Sequence, residues 1–212
     1  CNNTKDNYLF TDILNSRSER EGARERKQRD TKNRIAETGL RLFLANGFDT
    51  TTLDQIAEEV GISRRTFFSY FKSKDDILLA WHAASWQGFL SELLKVSPEN
   101  PPLYAVSKNF IKNVSRIDEK QMIAIDKVMR SSSTLMAKKQ ATYIEQELSL
   151  YHTLCEVWRE PERRVSLRIV ALLSIGAMRL AIESWTAENY KGSALYHFEN
   201  AFINLKKGLE EI

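Results

Sequence analysis

The sequence predicts an all-α fold in which a small three-helix unit is followed by a larger helical bundle. Apolar residues recur at intervals of three and four along most of its 212 residues, which is the spacing of one helix face. Residues suited to helix caps and helix stops stand at the ends of these stretches. Three of the four prolines fall between residues 97 and 102, where they interrupt the pattern and mark a boundary.

The first predicted helix covers residues 31–46, with Asp30 as its N-cap and Gly47 as its stop. It follows a leader, residues 1–22, that is rich in Asn, Ser and charged residues and that we expect to be flexible. An apolar patch within the leader, residues 8–14, is a candidate docking segment.

Two short helices joined by a tight turn are predicted next. Thr52 is a good N-cap, and Gln55 three residues later completes a capping box. Gly61 can adopt the left-handed backbone that a sharp turn requires, and Ser63 then caps the second short helix. This order of cap, helix, glycine turn and cap is typical of a helix-turn-helix.

The second short helix separates aromatic side chains from polar and basic ones. Phe67 and Phe71 lie one turn apart and are expected to pack against the first short helix. The outward residues are of the types that contact DNA grooves and phosphates. The predicted contacts near the bases are Arg64, Arg65, Thr66 and Ser69, and the predicted phosphate contacts are Thr51, Thr52, Tyr70 and Lys74. The alternative is a helical hairpin whose arginines are merely solvated.

Basic residues also cluster before and within the first predicted helix. They are Arg24, Arg26, Lys27, Arg29, Lys32 and Arg34. Acidic neighbours dilute their charge, so this segment is either a DNA-contacting arm or a solvated one. The net charge of the whole chain is only +3, which suits a protein with a small, local DNA footprint.

Residues 31–80 resemble the tetracycline-repressor (TetR) family of bacterial transcriptional regulators. The motifs that carry the resemblance are Phe43-Leu-Ala-Asn-Gly47-Phe48, Thr50-Thr-Thr-Leu-Asp-Gln-Ile-Ala57, Gly61-Ile-Ser, Phe67-Phe-Ser-Tyr-Phe71 and Lys74-Asp-Asp-Ile-Leu78. Phe68 is also among the predicted DNA-binding residues. It stands where many members have a tyrosine whose hydroxyl meets the DNA backbone, so we expect one phosphate hydrogen bond to be lost there. Arg65 stands where many members have glycine, and we expect it to add a base or phosphate contact. The resemblance implies a repressor that binds DNA.

The sequence indicates three segments. Ser73 caps a predicted connecting helix over residues 73–94, and the proline-rich stretch follows it. We therefore expect a flexible leader (1–22), a helix-turn-helix DNA-binding domain that includes the start of the connecting helix (23–80), and an effector-binding and dimerisation domain (81–212).

Five more helices are predicted after the boundary, over residues 103–116, 119–130, 135–158, 162–189 and 193–209. The third of them has apolar residues in alternating steps of four and three, which predicts a stripe facing a partner helix. The stripe consists of Ala137, Ala141, Ile144, Leu148, Tyr151, Cys155 and Trp158.

The predicted helix 162–189 is apolar over most of its circumference, so it should be buried on more than one side. The TetR resemblance implies that the last two helices pair with their copies in a four-helix homodimer interface. The candidate interface residues are Ile169, Leu172, Leu173, Gly176, Leu180, Leu195, Phe198, Phe202 and Leu205. A monomeric bundle in which the last helix covers this apolar helix is the alternative.

The resemblance also implies a small, often apolar effector that is bound among the C-terminal helices and releases the DNA. The candidate lining residues are Trp86, Phe89, Phe110, Met122, Met129, Tyr143, Tyr151, Trp158, Met178 and Trp185. Each of them is equally suited to an ordinary core position.

Other classes of protein receive less support from the sequence. It has two cysteines, Cys1 and Cys155, and no Cys or His spacing that predicts a metal site, so we expect a cytoplasmic protein without a disulfide framework or cofactor. We find no apolar run long enough to span a membrane and no catalytic motif. The alternatives are an architectural protein that coats DNA and a helical enzyme with an unrecognised site.

Overall fold

The structure is a computed structural model that describes residues 22–211. Over these residues it contains nine α-helices, one turn of 3-10 helix and no strand, which confirms the predicted all-α fold. The helices are α1 (Ala23–Asn46), α2 (Leu53–Val60), α3 (Arg64–Tyr70), α4 (Lys74–Leu93), α5 (Pro102–Val114), α6 (Glu119–Arg130), α7 (Ser133–Val157), α8 (Arg164–Ala187) and α9 (Ala194–Glu210). The 3-10 turn, Pro161–Arg163, precedes α8. The leader patch at residues 8–14 lies outside the described residues.

Helix α1 begins at Ala23, well before the predicted start at residue 31. Residues 23–30 are mostly good helix formers, and the backbone N–H of Gly22 donates to Oε2 of Glu25 at 3.3 Å. Asp30 therefore lies inside the helix, and the prediction that it is the N-cap was wrong. The basic residues of this segment lie on a helix and not on an extended arm.

The chain divides into two compact units, Cys1–Trp81 and His82–Ile212, and the division falls inside α4. The core of the first unit consists of Ile35, Ala36, Phe43, Ile56, Ala57, Phe67, Phe71 and Ile77. Gly39 allows α1 to approach α4 closely, because a Cβ atom at Gly39 would lie 2.6 Å from Cγ2 of Ile77.

The second unit is built around an aromatic group on three helices. The rings of Phe89 and Phe110 stack with their centroids 4.3 Å apart, and Trp86 and Phe202 stack on either side. Helix α8 packs against both α7 and α9. The predicted helices of this unit all occur, with ends close to the predicted ones.

The predicted stripe on α7 was largely wrong. Ile144 and Leu148 are 66% and 42% exposed, whereas Leu150 and Leu154 of the same helix are fully buried. The buried face of α7 also includes Lys139. The buried face of α7 carries polar residues that have partners inside the unit. A prediction based on apolar residues alone therefore assigned burial to a neighbouring face of the helix.

The turn between α8 and α9 has an unusual backbone. Asn189 and Tyr190 have φ angles of 54° and 59°, in the left-handed region that an aromatic residue rarely adopts. The ring of Tyr190 packs edge-on against Trp185, with centroids 5.2 Å apart, and its hydroxyl donates to Oδ2 of Asp126 at 3.1 Å. Tertiary contacts therefore hold this turn.

One segment, Pro161–Ala187, is long and apolar enough to cross a membrane by length and composition, contrary to our sequence expectation. Core helices of soluble proteins pass the same test. Here α8 packs against helices on two sides, and its Arg168 forms an ion pair with Glu147 at 2.6 Å. Helix α8 therefore contributes one side to the core of the second unit and leaves an apolar side exposed in this chain.

Candidate DNA interface

The helix-turn-helix is closed by the predicted caps. Oγ1 of Thr52 accepts the backbone N–H of Gln55 at 3.2 Å, and Oε1 of Gln55 accepts the N–H of Thr52 at 2.8 Å. Gly61 has φ 73° and ψ 37°, the left-handed conformation that the turn requires. Oγ of Ser63 accepts the N–H of Thr66 at 3.1 Å and begins α3. The local prediction for this segment is confirmed.

Helix α3 buries its aromatic side and exposes its basic side. Phe67 is fully buried and Phe71, the C-cap residue, is 1% exposed, as predicted. The side chains of Arg64, Arg65 and Thr66 are exposed. The outward group therefore projects from a helix that a packed core holds in place.

Arg64 is oriented by two neighbours. Its Nε lies 3.3 Å from Oδ1 of Asp54 in α2, and its guanidinium carbon lies 5.5 Å from the ring centroid of Phe68. Phe68 is 36% exposed and also contacts Phe67 edge-on. Asp54 was not predicted from the sequence as a residue of the site, although its position in the first turn of α2 could have indicated a role for its carboxylate. The exposed side chain of Arg64 is therefore partly preorganised.

The hydroxyl groups on α3 are engaged locally. Oγ1 of Thr66 lies 2.8 Å from Oγ of Ser63, and Oγ of Ser69 donates to the carbonyl of Thr66 at 2.6 Å. The hydroxyl proton of Ser69 is therefore used inside the helix, whereas either hydroxyl can be the donor in the Thr66–Ser63 pair. Tyr70 is half-buried against the core of the first unit.

Two predicted phosphate contacts instead support the turn between α1 and α2. Thr51 is 1% exposed, and its Oγ1 lies 2.8 Å from the carbonyl oxygen of Gly47. The prediction that its side chain holds a phosphate was wrong, because the side chain is inside. Nζ of Lys74 donates to the carbonyl of Phe48 at 2.6 Å and that of Asp49 at 3.1 Å, which leaves one N–H for another acceptor.

The effector candidates lie in or beside the cores of the second unit. The buried ones are Trp86, Phe89, Phe110, Met129, Trp158 and Trp185, and the half-buried ones are Met122, Tyr143, Tyr151 and Met178. The indole N–H of Trp86 donates to Oγ of Ser149 at 2.8 Å, and that of Trp185 donates to the carbonyl of Gly192 at 3.3 Å. These indole groups already have partners within the protein.

The dimer candidates divide into exposed and buried groups. Ile169, Leu172 and Leu180 are 51%, 53% and 62% exposed along α8. The half-buried candidates are Leu173, Gly176, Leu195 and Leu205. Phe198 and Phe202 are buried within their own chain, so their assignment to the interface was wrong. Exposed apolar residues that we did not predict are Val165, Tyr196 and Ile203.

A buried charged network, centred on Asp126, was not predicted. Oδ1 of Asp126 lies 3.1 Å from Nζ of Lys139, and Oδ2 lies 2.6 Å from Nε of Arg130. Burial raises the pKa of Asp126, but the hydrogen bond from Arg130 and the charge of Lys139 outweigh it and hold the pKa below its ordinary value. Desolvation, assisted by Lys139, lowers the pKa of His82 to about 4.

A helix-turn-helix with a buried aromatic side and an exposed basic side defines a class of DNA-binding proteins. Residues 35–81 match the model of a family described as bacterial regulatory proteins, tetR family. The N-terminal unit is therefore a tetR-family DNA-binding domain.

The similar proteins are bacterial regulators. The chain is 38% identical over 106 residues to the HTH-type transcriptional regulator TcmR of Streptomyces glaucescens. The aligned region covers 50% of this chain and 46% of TcmR. It is 21% identical over 147 residues to the biofilm operon icaADBC negative transcriptional regulator IcaR of Staphylococcus epidermidis, covering 66% of this chain and 80% of IcaR. The chain thus spans less than half the length of TcmR.

Solved structures share the fold of both units. Thermus thermophilus FadR, a TetR-family repressor in complex with lauroyl-CoA, superposes with a TM-score of 0.58 at 20% identity, covering 84% of this chain and 94% of that chain. A TetR/AcrR-type regulator from Aquifex aeolicus gives a TM-score of 0.51 at 18% identity, covering 83% and 98%. At this identity the likeness concerns the fold alone.

Proposed function

We propose that the protein is a sequence-specific transcriptional regulator that represses a promoter by binding a palindromic operator as a homodimer. The observation that carries the proposal is the exposed face of α3, where Arg64 and Arg65 project from a helix anchored by Phe67. A guanidinium can donate two hydrogen bonds to the major-groove edge of guanine. The tetR-family match of residues 35–81 supports the same function.

The proposed contacts follow from the positions of the side chains. Arg64 and Arg65 read bases, and the methyl group of Thr66 lies beside them. Thr52, Tyr70 and the remaining N–H of Lys74 hold phosphates, with Ser69 accepting or bridging through water. Phe68 supports Arg64 and supplies no hydrogen bond of its own.

The exposed stripe on α8 supports a homodimer. Val165, Ile169, Leu172 and Leu180 recur at helical intervals and together form an apolar surface that a second copy would remove from water. Tyr196 and Ile203 on α9 extend the exposed apolar surface. A twofold dimer doubles the base contacts and places them on half-sites about 34 Å apart.

Release of the operator is proposed to follow binding of a small, apolar effector in the second unit. The aromatic and methionine side chains of that unit provide the apolar surroundings such a molecule needs. The effector must bind more tightly to the dimer arrangement that does not bind DNA, with a coupling of about 1–3 kcal/mol. Because α4 belongs to both units, it is the covalent connection between them. The regulator requires no catalysis and acts in the cytoplasm, where its DNA is.

Selection of duplexes from a random DNA pool at near-physiological salt tests this proposal. We expect the purified protein to enrich one palindromic sequence, and Arg65→Ala to relax the base preference at one position of each half-site. Enrichment of no sequence, with binding that falls steeply as salt rises, would instead identify a protein that coats DNA.

A further inference from the structure

A cavity of about 270 Å³ in the second unit is lined by residues that no part of the proposed function uses. It lies between the end of α4, the loop after it and one face of α5. Tyr104, Lys108 and Lys112 line it from α5 at intervals of four residues, which places them on one helix face. None of the aromatic and methionine effector candidates is among its lining residues.

Hydrogen bonds from a buried tryptophan fix the loop on the opposite side of the cavity. Nε1 of Trp158, which is 1% exposed, lies 2.8 Å from the carbonyl oxygen of Pro98 and 3.2 Å from that of Asn100. The backbone N–H of Asn100 donates to the carbonyl of Ser97 at 3.2 Å. Because buried contacts fix this loop, the cavity is a preformed feature and not a gap in a free connection.

Positive charge exceeds negative charge at the cavity. Its one carboxylate, that of Glu92, lies 2.7 Å from Nζ of Lys112 and 3.7 Å from Nη1 of Arg116. The hydrogen bond from Lys112 lowers the pKa of Glu92, so this carboxylate is ionised and neutralised. The ammonium of Lys108 lies 5.6 Å from the ring centroid of Tyr104, and among residues 22–211 it has no ion pair.

Part of the surface beside Lys108 is apolar, and the polar residues Ser97 and Asn100 complete the lining. Tyr104 is 51% exposed, so much of its ring is open to solvent, and the buried side chain of Ala105 and the half-buried one of Val96 line the cavity beside it. The amide of Asn109 is already used, since its Nδ2 donates to the carbonyl of Phe89 at 3.0 Å. The cavity therefore combines an uncompensated cation with a surface suited to a flat ring.

We propose that this cavity binds a small aromatic carboxylate, with its carboxylate at Lys108 and its ring against Tyr104 and Ala105. A carboxylate supplies the charge that Lys108 lacks, and a ring buries apolar surface that an inorganic anion would leave exposed. The volume suits a molecule of one or two rings. The proposal is independent of DNA binding and of the effector candidates.

Isothermal titration of the full chain with 2-naphthoate at 150 mM salt, a concentration at which exposed charges are screened beyond about 8 Å, tests the proposal. We expect saturable binding that Lys108→Gln and Tyr104→Ala each weaken about 5- to 10-fold. The neutral isostere 2-naphthamide should bind at least about 5-fold more weakly, because it lacks the charge. Lys120→Gln, at an exposed position of α6 outside the cavity, is the matched control and should leave binding unchanged.

Every other outcome contradicts the proposal. No binding by a folded protein overturns it, and so does binding that survives both cavity variants, which places the probe elsewhere. Equal competition by inorganic phosphate would identify a simple anion site instead. Both substituted side chains are exposed, so thermal melting should show that the variants remain folded. Operator binding is measured separately and does not depend on the result.

Discussion

The carboxylate of Asp126 and the ammonium of Lys139 form a buried ion pair, 3.1 Å apart, between α6 and α7. Both residues are only 7% exposed. A buried pair of this kind gains little over a well-packed apolar pair, but removal of one partner leaves the other charge without compensation. The pair therefore matters to stability chiefly through what happens when it is broken.

Asp126→Ala should lower the free energy of unfolding by about 3–5 kcal/mol, because it leaves Lys139 buried and unpaired and removes the partner of Arg130 and Tyr190. Urea denaturation measures the change. The matched control is Glu92→Ala, which breaks a solvent-screened ion pair with Lys112 and should lower stability far less than Asp126→Ala does. Equal effects of the two substitutions would show that burial of the Asp126 network has no energetic consequence.

Stability should depend on pH through His82. Its folded-state pKa of about 4 lies below the ordinary value of about 6.5, so the unfolded chain binds the proton more readily. The free energy of unfolding should therefore fall as pH decreases from about 6.5 to 4, by up to about 3 kcal/mol. Asp126 also has a lowered pKa, but its contribution is lost only below about pH 4.

The His82→Gln variant separates these two groups. Denaturation of the wild type and the variant at several pH values between 4 and 7 should give a flatter profile for the variant. An unchanged slope would assign the pH dependence to other residues.

Arg64 and Arg65 should differ in their responses to substitution. Arg65→Ala should weaken operator binding by about 1–3 kcal/mol if the guanidinium reads a guanine, and most of that loss should be specific to one base pair. Asp54→Ala removes the carboxylate that orients Arg64, so it should change the affinity for the operator only through its effect on the Arg64 side chain. Fluorescence anisotropy with the selected operator and with its single-base variants measures both.

A comparison of the double variant Asp54→Ala/Arg64→Ala with Arg64→Ala alone provides the control. The two should bind DNA equally if Asp54 acts only by positioning Arg64.

The exposed stripe on α8 predicts how the chain associates. Leu172→Glu should shift the protein from dimer to monomer, because it places a charge in the middle of the proposed apolar interface. Sedimentation velocity measures the shift. Ile144→Glu on α7 is the control, because Ile144 is 66% exposed but is not part of the stripe. A dimer that survives Leu172→Glu but dissociates with Ile144→Glu would move the interface to α7.

Local sequence rules were sufficient where the structure depends on neighbours in the chain. The caps at Thr52 and Ser63 and the turn at Gly61 could be predicted because each is determined within about four residues. These rules were insufficient where contacts with residues distant in the sequence determine the environment of a side chain. Thr51 resembled a phosphate ligand in the sequence, but its hydroxyl donates to the backbone carbonyl groups of Leu42 in α1 and of Gly47 just after it.

The second unit shows the same limit more strongly. Phe198 and Phe202 fit an interface stripe in the sequence, yet they complete the core of their own chain, because α5 and α8 lie beside α9. The Asp126 network unites α6, α7 and the segment after α8, so no single helix pattern contains it. Only the i, i+4 spacing of Asp126 and Arg130 could have signalled it from the sequence.

Residue 190 is subject to two opposing selection rules. Its left-handed backbone favours glycine or asparagine, and an aromatic residue there costs about 1–2 kcal/mol in local conformational energy. Its hydroxyl bond to Asp126 and its ring contact with Trp185 favour tyrosine. A library randomised only at this position should therefore yield two groups of stable proteins, one with a relaxed turn and one with the tyrosine contacts, while residues that satisfy neither rule should be depleted.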